Sequence, residues 1–125
     1  MNIPADLRYS KDHEWVKLDG NIATIGITDF AQHELGDIVF VEIETKGESL
    51  GEHAVFGTVE AVKTVSDLFM PLSGRIVEVN PALEGSPALV NEDPCNGGWM
   101  IKVEVSEGAS LDHLLDSKAY AELVG

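Results

Sequence analysis

Short β-prone runs punctuated by turn residues constrain this chain most. Glu14–Leu18 and Ile22–Thr28 are rich in apolar and β-branched residues and are separated by Asp19-Gly20-Asn21. Asp-Gly between two such runs is a strong hairpin signal, because the left-handed backbone of a tight turn costs glycine nothing. Further runs follow at 37–44, 48–50, 54–62, 66–71 and 74–79, and again from Trp99 to Val105. Strands repeating about every 8–12 residues predict a mostly β chain, a flattened barrel or sandwich. The run 37–44 alternates Val39, Val41 and Ile43 with Phe40 and Glu42 and reads as a mostly buried strand, and Gly57 marks a bulge or close approach. Helices are expected to be short. Asp29-Phe-Ala-Gln32 resembles a capping box closed by Gly36, and Ser86-Pro87 suggests one helical turn over 87–91. Ser110 is expected to cap a last helix with Leu111, Leu114, Leu115 and Ala119 on one outer-packing face.

The 125 residues predict one domain, 1–125, and a hydrophobic content of 44% excludes a disordered tail. No apolar run approaches the ~18 residues of a membrane span, and Met1 to Tyr9 has neither a signal core nor an Arg-rich transit pattern, so a complete cytoplasmic product is expected. The net charge of −14 disfavours nucleic acid and anionic membranes as partners. It serves solubility and equally favours encounters with basic protein faces. Cys95 is the single cysteine, so no intrachain disulfide or redox pair is possible, and it reads as a turn residue. His13, His33, His53 and His113 lack ligand spacing, so no metal site is expected, nor is any nucleophile–base pair evident for catalysis.

The stretch Val59-Glu-Ala-Val-Lys63-Thr-Val-Ser-Asp67 joins two β runs and puts Lys63 at a hairpin tip. A turn lysine is ordinarily a solvated charge. What stands out is that Val62 and Val65 flank it where Asn-Gly would be usual, and exposed valines call for an explanation. A carrier lysine supplies one: its amine rides on a flexible four-carbon stem, and acylation removes the charge and lengthens the arm.

This segment resembles the lipoyl attachment site of glycine cleavage H proteins, usually close to E-S-V-K-A-x-S-D, with Ala61 and Thr64 as the departures nearest the lysine. The resemblance continues through Tyr9 with His13-Glu-Trp-Val16, Gly26-Ile-Thr-Asp29, Leu35-Gly-Asp-Ile-Val-Phe-Val-Glu42, Pro71-Leu-Ser-Gly74, Val77-Glu-Val-Asn80, Leu89-Val-Asn91 and Gly98-Trp-Met-Ile-Lys102. Cys95, where an aromatic is common, and Glu44, where Pro is common, depart from the pattern away from the lysine.

The resemblance implies a lipoyl-domain-like fold and a non-catalytic carrier with lipoate on Lys63. By the same resemblance, that arm takes an aminomethyl group from glycine decarboxylase to aminomethyltransferase and is reoxidised by dihydrolipoyl dehydrogenase. Lipoate-attaching enzymes are further implied partners, and the chain is expected to be monomeric. Glu14 and Asp67 fall in matching motifs and are candidates to hold the cationic amine in a sheltering cleft, against readings as surface charge and turn residue. Trp15, Trp99 and Phe56 are expected in the core or cleft walls, and Pro71 and Gly74 as hairpin geometry. Alternatives are a lipoyl-relay protein, an oxo-acid dehydrogenase lipoyl domain and a biotinyl domain. The last two fit less well, since Val62 and Thr64 replace the usual Met-Lys-Met or Asp-Lys-Ala neighbours.

Overall fold

A computed structural model describes residues 2–125; Met1, where the sequence reading begins the chain, lies outside the described residues. Two antiparallel sheets form a sandwich, with no closed barrel among the described residues. One sheet has six strands: β1 (Arg8–Tyr9), β2 (Glu14–Asp19), β3 (Ile22–Ile27), β5 (Ser49–Leu50), β8 (Gly74–Val79) and β9 (Ile101–Val105), in the order β1-β2-β3-β9-β8-β5. The other has three: β4 (Ile38–Glu42), β6 (Val55–Ala61) and β7 (Val65–Phe69), with β6 in the middle.

The Asp19-Gly20-Asn21 signal is realised. Asp19 pairs with Ile22 and Gly20 takes a φ of 63°. Alternation along each strand sends Val16, Ile25, Val59, Leu68, Ile76 and Val103 into a common core between the sheets. Gly57 sits at a register shift of β6, where a Cβ would fall 2.5 Å from the Glu42 carbonyl oxygen. Gly74 lies in strand β8 and is a close approach to β9, where a Cβ would meet Val103 and the Glu104 carbonyl.

Several local expectations are corrected. The run around β4 is not mostly buried: β4 is an edge strand bonded only to β6, and Val39 and Phe40 are exposed beside a bulge. The first helix, α1 (Asp29–Leu35), is capped by Thr28, whose hydroxyl accepts from Ala31 N, and not by Asp29. Asp29 instead binds the Gln32 amide and the Asn2 backbone N–H. Gly36 ends α1 as expected, at φ 81°. The Ser86 hydroxyl caps nothing. Ser86 closes an unexpected turn, α2 (Ala82–Gly85), begun by the Asn80 side chain accepting from Ala82 N, and α3 (Leu89–Glu92) starts two residues after Pro87.

The last helix is also later than the pattern suggests. Leu115 exchanges backbone hydrogen bonds with Tyr9 and must be extended there, so α4 (Ser117–Val124) begins only after Asp116, whose carboxylate accepts from Ala119 N. Leu111 and Leu114 therefore pack on the main core, while Leu115 packs on a second cluster of Leu7, Tyr9, Trp15 and Tyr120. Tyr9 and Tyr120 stack at 4.7 Å and tie α4 to β1. Trp15 and Phe56 are core residues, as expected, whereas Trp99 is only half-buried, against the second cluster and under the Lys102 ammonium. Among the described residues no helix is long and apolar enough to cross a membrane.

Candidate functional site

The β6–β7 hairpin is closed by Ala61 N–H donating to the Thr64 carbonyl at 2.7 Å, so Val62 and Lys63 form its tip. Neither residue takes a positive φ, which is why the turn needs no Asn-Gly. Val62 N–H donates to the Asp37 carbonyl at 3.0 Å, anchoring the tip to the segment leading into β4. The backbone is thus fixed while the side chains are free: Val62 is 75% and Val65 63% exposed, and Lys63 is exposed. Lys63 joins no ion pair among the described residues.

Lys63 Cε would lie 3.4 Å from a Cβ placed on Gly36, so the lysine stem runs alongside the end of α1. A cation there also suits the partial negative charge of a helix C-terminus. The corner is locked by Asn91, whose amide donates to the Gly36 carbonyl and to Gln32 Oε1 and whose oxygen accepts from Ile38 N. Asn91 lay within a matching motif, but nothing local marked it as a bracket linking residues more than 50 positions away.

Helix α1 also borders a cleft of about 230 Å³. Phe30, Ala31, Leu35, Val59 and Leu68 give it apolar walls, and Asp12, Glu34, Ser66, Asp67, His13 and Glu14 give it polar ones. Glu14 and Asp67, singled out separately from sequence, therefore line one cavity. Lys63 does not line it. Ser66 to Leu68 lie three to five residues along the chain from Lys63, roughly 10–17 Å of extended strand, so the cleft is within reach of a lengthened arm.

The two acids differ sharply. Asp67 is exposed, and Glu14 is 2% exposed. Ser10 Oγ donates to Glu14 Oε1 at 2.7 Å and accepts from Glu14 N–H at 3.1 Å. Burial pushes the Glu14 carboxyl up to about 8, opposed in part by the Ser10 hydrogen bond. A surface-charge role for Glu14 is thereby excluded.

His13, which the sequence offers within a matching motif but assigns no role beyond that of a non-ligand, forms part of the wall. It holds a φ of 67°, packs its ring 4.8 Å from Phe30, and pairs Nδ1 with the Tyr120 hydroxyl at 2.8 Å. That hydroxyl also meets Thr28 Oγ1 at 2.7 Å, so the C-terminal helix, the α1 cap and the cleft wall share one hydrogen-bond chain. Burial lowers the His13 pKa and pushes the Tyr120 phenol up to about 12. Cys95 is half-buried, and burial pushes its thiol up to about 11, away from the thiolate form. Among the described residues no group of His, Cys, Asp and Glu is arranged to hold a metal ion.

Residues 7–125 match the family Glycine cleavage H-protein. The glycine cleavage system H protein of Chlorobium phaeovibrioides is 59% identical over all of this chain and 99% of its own length. That of Bacteroides fragilis is 54% identical over 99% of this chain and 98% of its own. The crystal structure of a glycine cleavage system H protein from Mycobacterium marinum superposes with a TM-score of 0.88 at 39% identity, covering 97% of this chain and 98% of that one.

Proposed function

The chain belongs to the glycine cleavage H-protein family, the lipoyl carriers of the glycine cleavage system and not themselves catalysts, and from that premise we propose that Lys63 bears the lipoyl group and that the Glu14–Asp67 cleft shelters its loaded end. The observation that carries this reading is an exposed, unpaired lysine on a hairpin tip whose backbone is tied down on both sides, beside the helix that borders the cleft. When attached, a lipoyl group supplies a disulfide that opens to a dithiol and carries the aminomethyl unit between enzymes.

The surrounding residues suit such an arm. Phe30, Leu35, Val59 and Leu68 offer apolar walls to a hydrocarbon chain, and Val62 and Val65 shield its root. The cleft ends on acids where a primary ammonium needs them. With no cation present, Glu14 keeps its proton at neutral pH, because a lone buried carboxylate is costly. An ammonium placed there would favour the carboxylate form of Glu14, whose proton would leave to solvent, and Glu14 would hold the cation as a charge pair, with Asp67 a second acidic group on the β7 side. His13 and Phe30 close the wall against water, which would otherwise release the amine.

In this reading the 125 residues form one carrier domain that works as a monomer in the cytoplasm. Its partners are glycine decarboxylase, aminomethyltransferase, dihydrolipoyl dehydrogenase and a lipoate-attaching enzyme. Intact-mass measurement after expression with lipoate tests the attachment. One added lipoyl group, absent from Lys63→Arg, is the expected result; no added mass, or a biotinyl mass, rejects it.

A further inference from the structure

Successive residues of an extended chain point to opposite sides, yet His13 and Glu14 both line the cleft. The cause is the backbone of His13, whose φ of 67° turns the chain just before β2. Two hydrogen bonds hold that left-handed conformation. His13 N–H donates to the Ser10 carbonyl at 3.2 Å, and the His13 carbonyl accepts from Thr28 N–H at 3.0 Å. A residue other than glycine keeps such a conformation only where its surroundings impose it, and such residues gather where ligands bind.

The hydrogen atoms around the ring follow by elimination. Thr28 is buried, and its Oγ1 has two partners among the described residues, the Ala31 N–H and the Tyr120 hydroxyl. Ala31 can only donate, so the Thr28 hydroxyl donates to the Tyr120 oxygen. Tyr120, also buried, then donates to its remaining partner, Nδ1 of His13. The reverse order would leave the Thr28 hydrogen buried and unsatisfied. Burial lowers the His13 pKa against the opposing charges of Asp12 and Glu34, so the ring is uncharged at pH 7 and carries one hydrogen. With Nδ1 accepting, that hydrogen sits on Nε2, which has no hydrogen-bond partner among the described residues.

We propose that Thr28 and Tyr120 lock His13 as the Nε2–H tautomer and that this N–H binds a sulfur of the Lys63 arm. Asp12, Glu14, Glu34 and Asp67 line the cleft and suit an ammonium, which is itself a donor. A fixed N–H needs an acceptor instead. The amide oxygen of a lipoyl arm stays at its root on Lys63, which does not line the cleft, whereas the sulfurs sit one carbon from the amine at the loaded end. Glu14 and His13, adjacent in the chain, thereby hold adjacent parts of the arm, one by charge and the other by a neutral donor. Thr28 at the start of α1 and Tyr120 on α4 act as positioning residues through the ring. This rests on Lys63 bearing the lipoyl group and on the cleft sheltering its loaded end.

The tautomer is read first, from the imidazole ¹⁵N resonances of the chain without lipoate. The parent is expected to show a bare Nδ1 and a protonated Nε2, and Tyr120→Phe a mixture of the two forms. A parent protonated on Nδ1, or identical spectra for the two chains, overturns the proposal whatever the arm does. The contact is read next, in carrier shown by intact mass to be lipoylated, then loaded and kept without the transferase well below its melting temperature. His13→Met, with the length of Gln but no N–H, is expected to speed loss of the amine about fivefold, the worth of one hydrogen bond, while His13→Gln, which keeps a donor, stays within about twofold of the parent. Loading the parent is expected to move the Nε2 resonance more than Nδ1. Equal rates for the Met and Gln variants, a Met variant that matches the parent, or an Nε2 resonance that loading leaves in place overturns the sulfur contact. Glu14→Ala separates the two readings. If it alone speeds the decay, the shelter stands and the His13 contact falls; if it leaves the decay unchanged, the shelter falls and takes the sulfur contact with it, while the tautomer still stands or falls on its own spectra.

Discussion

The two ends of strand β7 obey opposite rules. Val65, beside the tip, is 63% exposed, while Leu68, three residues on, is 2% exposed and belongs to the core. At the tip the backbone is held by two hydrogen bonds and the side chains are exposed; in the cleft Glu14 and His13 are each placed by another side chain. The difference separates two tasks. An attachment point needs a fixed position and an unhindered amine, whereas a shelter needs excluded water and matched charge.

Truncation sharpens this contrast most. Leu68→Ala is expected to cost about 2–5 kcal/mol, because it opens a cavity in the core, while Val65→Ala stays within about 0.5 kcal/mol. Denaturant melts decide it, and equal costs would remove the distinction between the two ends.

Next in size is the pH dependence set by Glu14. Folding raises its pKa from 4.5 to about 8, so between those values the folded chain holds a proton that the unfolded chain has lost. Stability from this group therefore falls as pH rises through that window and levels off above about 8. Glu14→Gln removes the slope, and its melting temperature should gain on the parent's between pH 5 and 8.5, by the equivalent of on the order of 3 kcal/mol. Parallel profiles would contradict a buried, protonated acid. Glu14→Ala in the loaded carrier should also speed loss of the amine without the transferase, and an unchanged decay would detach Glu14 from sheltering.

Tyr120→Phe is expected to cost about 1–2 kcal/mol, since it leaves His13 Nδ1 and Thr28 Oγ1 without their shared partner. Its mark on the cleft is a shift of the His13 imidazole resonances, which a purely local loss at α4 would not produce. The smallest effect belongs to Val62→Ser, within about 0.5 kcal/mol of the parent in a melt, because the residue is 75% exposed and its anchoring bond is made by the backbone.

Much of this was legible along the chain. The Asp19-Gly20-Asn21 turn, the Gly57 bulge and the helix stop at Gly36 follow from backbone chemistry confined to a few neighbouring residues. The late start of the last helix has a long-range cause. Ser110 carries a capping side chain, but Leu115 is held extended by Tyr9, more than 100 residues earlier, and the helix waits for Asp116. β4 looked buried because its composition is that of an inner strand, and only its place at the sheet edge exposes Val39 and Phe40.

By itself, then, the sequence determined a mostly β chain, its principal turns and a lysine at a hairpin tip, all matters of local conformational preference and short-range pattern. The tertiary structure alone decided that Glu14 is desolvated, that Glu14 and Asp67 share a cavity, that His13 leans on Tyr120, and that Asn91 sets Gly36 beside Lys63. Those relations join residues many positions apart, and the burial and hydrogen bonding that give them their chemistry arise only when the two sheets close on each other.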